Sequence, residues 1–382
     1  MLTAEGCRCR RQRLWNSLPE QIDWALIADP KHLVYFANYR QSPFSFRSND
    51  AGAVLILGRD GSSVLVADQM VQSFLASAHV DEVVAPVWYQ SVESPPHRRH
   101  FLVTNTLERL NSCVGLDFGV ETGQIPAGIE HGLRLERPQA KLLSIDAAIA
   151  PLRRAKDADE LALLQLSMKA GEAGMKAALE SVYPGMTELE VYLLVERAAA
   201  EALGLQVIVY GDFVSGPRCE EGGGPPSQRR IEPGDPFILD FSTVVHEYRG
   251  DFSNTFVVGG KATASQRELC EACLDAMRAG ERALRAGVTG RDVYLAVREA
   301  FAQHNLESYF PHHAGHGLGL SHPEPPYLVP QSADTLVAGD VVTLEPGLYV
   351  SGVAGMRYER NYLITETGYE LLSHHALTID AK

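Results

Sequence analysis

Short apolar runs alternate with amphipathic stretches along the first part of the chain. Within residues 51–68, two apolar runs flank Gly58-Arg-Asp-Gly61, a turn sequence typical of a β-hairpin. Two further apolar runs, 80–87 and 112–119, predict strands, and the polar stretch Ser94–His100 predicts a loop. The pattern indicates an N-terminal domain of mixed strands and helices.

The pattern changes between Ser144 and Lys156, where a continuous helical periodicity begins. A helix is predicted from about Lys156, because the acidic first turn suits the positive end of the helix dipole. The domain boundary is placed at Pro151, so that residues 151–382 form the second domain.

The second domain contains an internal repeat. GMTELEVYLLVERAAAEAL, after Pro184, resembles GVTGRDVYLAVREAFAQHN, after Ala286, at an offset of 102 residues. Thr187 and Thr289 are placed to cap helices, and only Glu190 is expected to complete the usual Thr-x-x-Glu box. Two capped amphipathic helices could resemble each other by chance. Because a strand pair follows each copy, the preferred interpretation is a duplicated helix-and-strand unit with a site at the junction.

Composition and charge narrow the possible functions. The chain has 382 residues, of which 45% are hydrophobic and 21% charged, an ordinary globular composition. A net charge of −14 disfavours nucleic acid and anionic membranes as partners, and no apolar stretch is long enough to span a bilayer. A cytoplasmic location is expected, because the polar N-terminus does not resemble a signal peptide.

Residues 1–14 are predicted to be a polar tail. They contain the basic run Arg8–Arg13, which is interpreted as a solvated terminus and not as a nucleic-acid site. The six cysteines suggest neither a disulfide framework nor a zinc site, because Cys270 and Cys273 have no second pair at matching spacing.

Acidic residues interrupt two apolar segments of the second domain. Asp240 lies between Leu239 and Phe241 at a predicted strand end, and Asp251 is predicted to open the next strand. A hairpin between these strands can bring both carboxylates together. Burying an unpaired carboxylate costs on the order of several kcal/mol, so a partner or a metal ion is expected. An aspartate satisfied at a strand end is the alternative.

Histidines and glutamates form a second group of candidates. Four histidines lie within eleven positions in a segment that also contains Gly315, Gly317 and Gly319: His312, His313, His316 and His322. Glu345 and Glu359 lie in predicted strands that are otherwise apolar, and Arg357 shares a strand face with Glu359. Each glutamate alone could be an ion-paired residue. Carboxylates with one imidazole, however, suit manganese, cobalt, zinc or iron, and shared ions would relieve repulsion among four buried acids.

These residues resemble the pita-bread family of metallopeptidases, which includes Xaa-Pro dipeptidases (prolidases), aminopeptidase P and methionine aminopeptidase. Asp240 and Asp251 are 11 positions apart, Glu345 follows His316 by 29, and Glu359 follows Glu345 by 14, as in prolidase-like members. The first half of the chain is similar to the creatinase-type domain that precedes the catalytic domain of prolidases and aminopeptidase P.

The resemblance implies an α+β fold of two domains. A creatinase-like α/β domain would span residues 15–150, and a pita-bread catalytic domain with pseudo-twofold duplicated helix-strand units would span residues 151–382. It also implies a homodimer, and a short peptide substrate with proline in second position.

The resemblance further implies a role for each candidate residue. Two divalent ions, with manganese expected first and cobalt, zinc or iron as alternatives, would be held by Asp240, Asp251, His316, Glu345 and Glu359. Asp251 and Glu359 would bridge the ions, and a hydroxide held between the ions would attack the scissile carbonyl. Glu345 would also act as general base. His312 would contact substrate, and Arg357 would support the site.

The chain departs from the family pattern at several positions. Gly223 stands where the peptidases usually carry a histidine 17 residues before the first ligand aspartate, and Pro323 where they carry one seven residues after the ligand histidine. His322, one place earlier, is expected to replace the second of these. Ser242 replaces a glycine, and residues 253–255 replace Thr-Arg-Thr. All these changes are expected to touch substrate binding and not metal binding.

The first expectation is therefore a dinuclear-metal Xaa-Pro peptidase of the prolidase or aminopeptidase P type. Gly223 and Pro323 leave open a hydrolase or lyase of a small amide-like metabolite on the same fold. A catalytically silent binding protein is the third alternative, and it is disfavoured because such a protein would not need four buried acids.

Overall fold

The computed structural model describes residues 1–40, 52–68, 72–87, 92 and 97–381. The chain divides into two compact units, Met1–Arg153 and Arg154–Lys382. The boundary predicted between residues 150 and 151 falls inside a helix, Asp146–Leu152, and the first unit ends just after that helix. Among the described residues, no helix is both long and apolar enough to cross a membrane.

The strands described in the first unit form one mixed sheet. They are β1 (Trp24–Ile27), β2 (Ala53–Gly58), β3 (Ser63–Ala67), β4 (Glu82–Val84), β5 (Asp117–Val120) and β6 (Lys141–Ser144). The order is β4-β3-β2-β1-β5-β6, with β2 antiparallel to both β1 and β3 and the other pairs parallel. The predicted hairpin is confirmed as β2–β3, and its turn contains Gly61 at φ 95°.

The first unit also contains helices. They are α1 (Ala4–Ser17), α2 (Pro30–Ala37), α3 (Gln72–Ala76), α4 (Arg98–Leu110), α5 (Ala127–Glu136) and α6 (Asp146–Leu152). Of these, α2 and α4 contact the sheet. In the predicted loop Ser94–His100, residues 94–96 lie outside the described part of the chain. His97 precedes the helix, as predicted, but the prediction is wrong for residues 98–100, which form the first turn of α4.

The prediction of a polar tail at residues 1–14 is wrong. Residues from Ala4 onward form α1, and Arg10 in the basic run is completely buried. Its Nε donates to the backbone oxygen of Tyr35 at 2.7 Å, and Arg11 Nη1 donates to that of Phe36 at 3.1 Å. These oxygens belong to the last turn of α2, whose carbonyls lack helical partners and carry partial negative charge. Arg10 and Arg11 of the basic run therefore cap a helix, while Arg8 is exposed.

The second unit contains two helix pairs, each followed in the chain by antiparallel strands. The first copy comprises α7 (Ala158–Ser181), α8 (Glu188–Leu203), β7 (Ile208–Ser215), β8 (Pro236–Val245) and β9 (Tyr248–Val257). The second begins with α9 (Ala264–Ala283) and α10 (Gly290–Gln303). Its strands are β10 (Gly315–Gly317), β11 (Glu324–Leu328), β12 (Val341–Leu344), β13 (Gly347–Val350), β14 (Ala354–Arg357), β15 (Arg360–Ile364) and β16 (Tyr369–Leu371).

Three sheets organise these strands, in the orders β7-β8-β9, β11-β10-β12-β15-β16 and β13-β14. The helix predicted from about Lys156 is confirmed as α7, which starts after Asp157 with a capping box to Glu160. Thr187 and Thr289 cap α8 and α10, as the repeat predicted. The expectation that only the first copy completes its box is wrong, because the shorter carboxylate of Asp292 also reaches the cap N–H, at 3.2 Å.

Candidate metal centre

The β8–β9 hairpin brings the two candidate aspartates onto one face of a sheet. Asp240 is paired with Ser253 and Ser242 with Asp251, and directly opposed residues of antiparallel strands point to the same side. Ser242 Oγ donates to Asp251 Oδ1 at 3.0 Å. The two carboxylates are thus diagonal neighbours, and Asp251 is buried.

The opposite face of the hairpin is aromatic. Phe241 and Phe252 are paired across the strands with their rings stacked 5.6 Å apart, and Gly171 of α7 leaves room for the Phe252 ring. Both strands extend beyond the ends predicted for them, since β8 continues to Val245 and β9 begins at Tyr248. The acids therefore lie within a continuous, helix-backed ladder that fixes their positions.

His316 lies in the short strand β10, close to the backbone of β12. The preceding Gly315 has φ 155°, and a Cβ there would lie 2.0 Å from the Thr343 backbone oxygen, so only glycine fits. The His316 Nδ1 is 2.9 Å from its neighbour's carbonyl, Gly317 O, which favours a proton on Nδ1. Nε2 is then free to face the carboxylates, 3.2 Å from Glu345 Oε1 and 3.8 Å from Asp251 Oδ2.

The two candidate glutamates lie at strand ends that converge on the same point. Glu345 directly follows β12, and its N–H donates to the Ala314 carbonyl at 2.9 Å. Glu359 lies between β14 and β15, and its N–H donates to the Ser253 carbonyl at 2.9 Å. The backbone of each glutamate is therefore tied to the segment that carries another candidate ligand.

The structure brings all five candidate ligands together. Donor atoms of Asp240, Asp251 and Glu359 lie within 4.8 Å of one another, and so do those of His316, Glu345 and Glu359. Glu359 belongs to both groups and lies between them. A pair of neighbouring sites with one shared carboxylate is the arrangement that two bridged divalent ions require.

The donor set fits such ions on two independent observations. Glu359 Oε1 is buried and has no hydrogen-bond partner among the described residues, although a buried carboxylate oxygen left unpaired is costly. Four carboxylates and one imidazole are the donors that manganese, cobalt, zinc and iron accept. A cation between these side chains would satisfy the unpaired oxygen and offset the accumulated negative charge.

The pKa values of the clustered acids are shifted in different directions. Burial raises the pKa of Glu359 well above its usual range, and the charges of Asp251, Glu345 and Asp240 add to the effect. Burial likewise raises the pKa of Asp240 to about 7, although Arg357 opposes it. For Glu345, burial would raise the pKa, but the neighbouring imidazoles of His313 and His316 outweigh it and hold the pKa well below the usual range.

Arg357 connects the candidate ligand Asp240 to three residues beside it, Asp212, Gly222 and Tyr349. Its Nε donates to Asp240 Oδ2 at 2.6 Å, and its Nη2 donates to Asp212 Oδ2 at 2.7 Å. Its Nη1 donates to the Gly222 carbonyl and to the Tyr349 hydroxyl, at 2.8 and 2.9 Å. One guanidinium therefore orients one carboxylate oxygen of Asp240 and leaves the other free for an ion.

Two of the remaining histidines contact predicted ligands directly. His322 Nε2 lies 2.7 Å from Asp251 Oδ2, and His313 Nδ1 lies 3.3 Å from Glu345 Oε1. His312 is a step further away, since its Nε2 lies 3.0 Å from the Tyr349 hydroxyl and its Nδ1 2.7 Å from the His313 carbonyl. His322 thus reaches the centre although it is one position early in the chain.

Comparison with known proteins identifies the family. Residues 162–366, more than half of the chain, match metallopeptidase family M24, and residues 10–155 match the creatinase/prolidase N-terminal domain. The chain belongs to metallopeptidase family M24. The pita-bread resemblance and the two-domain α+β fold expected from the sequence are therefore confirmed, and the chain is a peptidase of this family by descent.

Relatives of the M24 chain cover nearly its whole length. It is 27% identical over 363 residues to an uncharacterized peptidase of Staphylococcus aureus (strain USA300), covering 93% of this chain and 96% of the relative. Its fold is similar to that of an X-Pro aminopeptidase from Thermotoga maritima, with a TM-score of 0.83, 20% identity and coverage of 97% and 99%. An Xaa-Pro dipeptidase from Bacillus anthracis is similar at TM-score 0.83, 23% identity and coverage of 98% and 99%.

The glycine at position 223, which departs from the M24 peptidase pattern, is packed against an acidic side chain. Gly223 lies against Asp212, since a Cβ at position 223 would be 2.2 Å from Asp212 Oδ2. Asp212 is paired with Asp240 across β7 and β8, and its side chain is 35% exposed. An acidic group held by Arg357 therefore lines the wall beside the position where the related peptidases carry a histidine.

The serine and threonine departures are buried among the ligand-bearing strands, and their part in substrate binding stays a prediction. Ser242 bonds the candidate ligand Asp251. The hydroxyls of Ser253 and Thr255 donate to the Arg357 carbonyl at 3.2 and 3.1 Å, and Thr255 also accepts from the Arg357 N–H at 2.9 Å. These side chains hold ligand-bearing strands in register. The sequence pattern could not show this, because the partner strand β14 lies about a hundred residues away in the chain.

Sequence reasoning did not select several residues that the structure places at this M24 site. They are Asp212, Tyr349, Tyr210 and Arg249. His313 was a candidate as a member of the histidine cluster, but no role was assigned to it. Tyr210, Asp212 and Arg249 share the ligand-bearing face of the β7-β8-β9 sheet, but that becomes evident only from the strand register.

Proposed function

We propose that this M24 enzyme is a dinuclear-metal Xaa-Pro peptidase of the prolidase or aminopeptidase P type. The supporting observation is the pair of donor groups that share Glu359, together with the buried, unpartnered oxygen of that residue. Asp240, Asp251, His316, Glu345 and Glu359 would hold the two ions, with manganese expected first. Bound ions would lower the pKa of a coordinated water and polarise the scissile carbonyl.

Glu345 is the group best placed to move the proton. Its pKa lies well below the usual range, so it is ionised at neutral pH and can accept a proton from the attacking water. Transfer of that proton to the leaving nitrogen completes hydrolysis, as the new carbon–oxygen bond forms and the carbon–nitrogen bond breaks. The contact with His316 keeps the Glu345 carboxylate pointed at the centre.

The other residues orient the site and the substrate. His322, beside Asp251 and 29% exposed, would take the substrate role of the histidine that Pro323 replaces. His312 and Arg357 act together through Tyr349, whose hydroxyl bonds both. Through this network they would position the peptide against the centre and orient Asp240.

A second candidate function is hydrolysis of a small non-peptide amide. It is favoured by Gly223 and the adjacent carboxylate of Asp212, which give the wall of the site an acidic group in place of an imidazole. A cationic or amine-bearing metabolite would suit such a wall better than a neutral proline ring would.

Hydrolysis of four peptides with added manganese or cobalt tests the first proposal. Ala-Pro, Ala-Pro-Ala, Ala-Ala and Met-Ala-Ser form the panel, with a chelator-treated control. Metal-dependent cleavage confined to Ala-Pro and Ala-Pro-Ala supports an Xaa-Pro peptidase. Bound metal without cleavage of any peptide would refute it and favour the second candidate. The homodimer and the cytoplasmic location expected from the sequence stay predictions.

A further inference from the structure

Arg249 lies on the ligand-bearing face of the β7-β8-β9 sheet, beyond the metal centre. It is two residues before Asp251 on β9, so both side chains point to the same side of the strand. Across the sheet it is paired with Val244, which in turn is paired with Ile208. This row lies next to the row formed by Asp251, Ser242 and Tyr210.

The guanidinium of Arg249 has carbonyl and hydroxyl partners but no acidic one. Its Nη1 donates to the backbone oxygens of Leu320 and Glu247, and its Nε donates to the Tyr210 hydroxyl at 3.3 Å. No carboxylate among the described residues pairs with it, and its Nη2 makes no hydrogen bond to them. A half-buried cation one row from a cluster of four acids therefore keeps donors available for an anion.

The surface beside this cation is apolar and open. Ile208 is 42% exposed and Tyr210 is 40% exposed, although both lie on strand β7 next to the site. The Tyr210 ring also lies 6.3 Å from the ring of His322, which contacts Asp251. A continuous wall thus leads from the metal-binding carboxylate to the guanidinium, with apolar surface for a side chain or a proline ring.

We infer that Arg249 binds the free C-terminal carboxylate of the substrate and so makes the enzyme selective for dipeptides. The inference rests on the proposed peptidase function and specifies its substrate class. Arg249 is then a specificity-determining residue, while Ile208 and Tyr210 pack against the C-terminal residue of the dipeptide.

The spacing along β9 agrees with a dipeptide. Two residues of an antiparallel strand span about 7 Å along the backbone, and this is the separation between the Cα atoms of Asp251 and Arg249. In a dipeptide the carboxylate follows the scissile carbonyl by one residue, at most about 3.6 Å, and a hydrogen bond adds about 2.9 Å. Each additional residue would carry the carboxylate further along by about the same increment, beyond the guanidinium.

Arg249 also connects the β8–β9 turn to the loop after His316. The test must therefore distinguish binding of the substrate carboxylate from a purely structural role of Arg249. The test compares kcat/KM for Ala-Pro with that for its C-terminal amide, Ala-Pro-NH2, in wild type and in Arg249→Gln. Arg197→Gln serves as the control, because Arg197 is highly exposed and pairs with the exposed Glu201. Metal content is measured for every variant, so that loss of an ion is not mistaken for loss of substrate binding.

Wild type should prefer the free acid over the amide by at least about tenfold, the usual weight of a charge-assisted hydrogen bond. In Arg249→Gln that ratio should fall close to one while the amide rate is nearly unchanged, and Arg249→Lys should restore part of it. Equal rates for acid and amide in wild type would overturn the inference without any variant. Equal losses for both substrates in Arg249→Gln would show a structural role. A metal-loaded protein that cleaves no peptide would refute the peptidase proposal itself.

Discussion

At the level of single residues, Gly223 and Asp212 occupy one small volume beside Arg357. The carboxylate of Asp212 lies where a side chain at position 223 would begin, and it is held there by Arg357 Nη2 and the Gly224 N–H. Glycine is therefore required because of a close contact. A side chain at 223 would displace Asp212 and release the guanidinium that orients Asp240.

Gly223→Ala should lower kcat/KM by about tenfold to a hundredfold, the loss expected when a catalytic group is misplaced by a fraction of an ångström to 1 Å. Asp212→Ala removes the obstructing carboxylate, so adding Gly223→Ala to that variant should cost little more. Steady-state kinetics of the two single variants and the double variant measure this coupling. Fully additive losses would show that the two residues act separately.

The candidate ligands could be predicted from the sequence, but the hydrogen bonds that hold them in place could not. Asp240 and Asp251 were recognisable as acids in apolar strands, and the spacing of His316, Glu345 and Glu359 resembled a known family. The four contacts of Arg357 join segments that are up to 145 residues apart in the chain. No local pattern encodes such contacts, because they depend on how the sheets are placed in the fold.

At the level of elements, helix α1 replaces the predicted tail because two arginines have internal acceptors. Arg10 and Arg11 reach carbonyls at the end of α2, and the Arg10 guanidinium carbon also lies 5.2 Å from the centre of the Tyr35 ring. In the sequence, a run of basic residues near a terminus is usually solvated. That rule takes no account of hydrogen-bond acceptors some 25 residues away in the chain.

Arg10→Met should destabilise the protein by about 1–3 kcal/mol, because the Tyr35 carbonyl loses a buried donor. Arg8→Met is the matched control: Arg8 is on the same helix but is exposed, and it pairs with the exposed Glu5. Thermal unfolding of the full chain should show a lower midpoint for Arg10→Met and an unchanged one for Arg8→Met. Equal unfolding midpoints for the two variants would instead support the prediction that residues 1–14 are a solvated tail.

Strands and helices were predicted well where one short-range signal dominates. The β2–β3 hairpin has a glycine turn between apolar runs, and α7, α8 and α10 have capping residues. The facing ends of β8 and β9 were misplaced, because the prediction ended the first strand near Asp240 and began the second at Asp251. Within the folded unit the ladder continues past both acids, and Ser242 and Ser253 bond Asp251 and the Arg357 carbonyl.

At the level of the whole molecule, the candidate metal-binding cluster contributes to how stability depends on pH, because two of its members have raised pKa values. Without metal, burial raises the pKa of Asp240 to about 7 from 3.8. For His316, burial alone would lower the pKa, but the contacts with Glu345 outweigh it and raise the value to about 9 from 6.5. Both groups bind a proton more tightly in the folded chain than in the unfolded one. Their contribution to stability is therefore complete at low pH and is lost as pH rises through about 7 and then 9.

Chelator-treated protein should accordingly become less stable between about pH 6.5 and 9, whereas metal-loaded protein should change little over the same range. Free metal at a hundred times its Kd would add about 2.7 kcal/mol at a single site. Unfolding midpoints recorded in both states across this range test the prediction. A metal-free protein that is more stable at pH 9 than at pH 6.5 would show the opposite proton linkage.

The number of metal ions bound per chain tests the dinuclear centre most directly. Elemental analysis of protein equilibrated with excess manganese and then desalted should give two ions per chain for wild type and for the exposed control Glu366→Gln. Glu359→Gln should bind one ion or none, because Glu359 is the carboxylate common to both donor groups. Two ions in Glu359→Gln, or fewer than two in wild type, would contradict a centre built around Glu359.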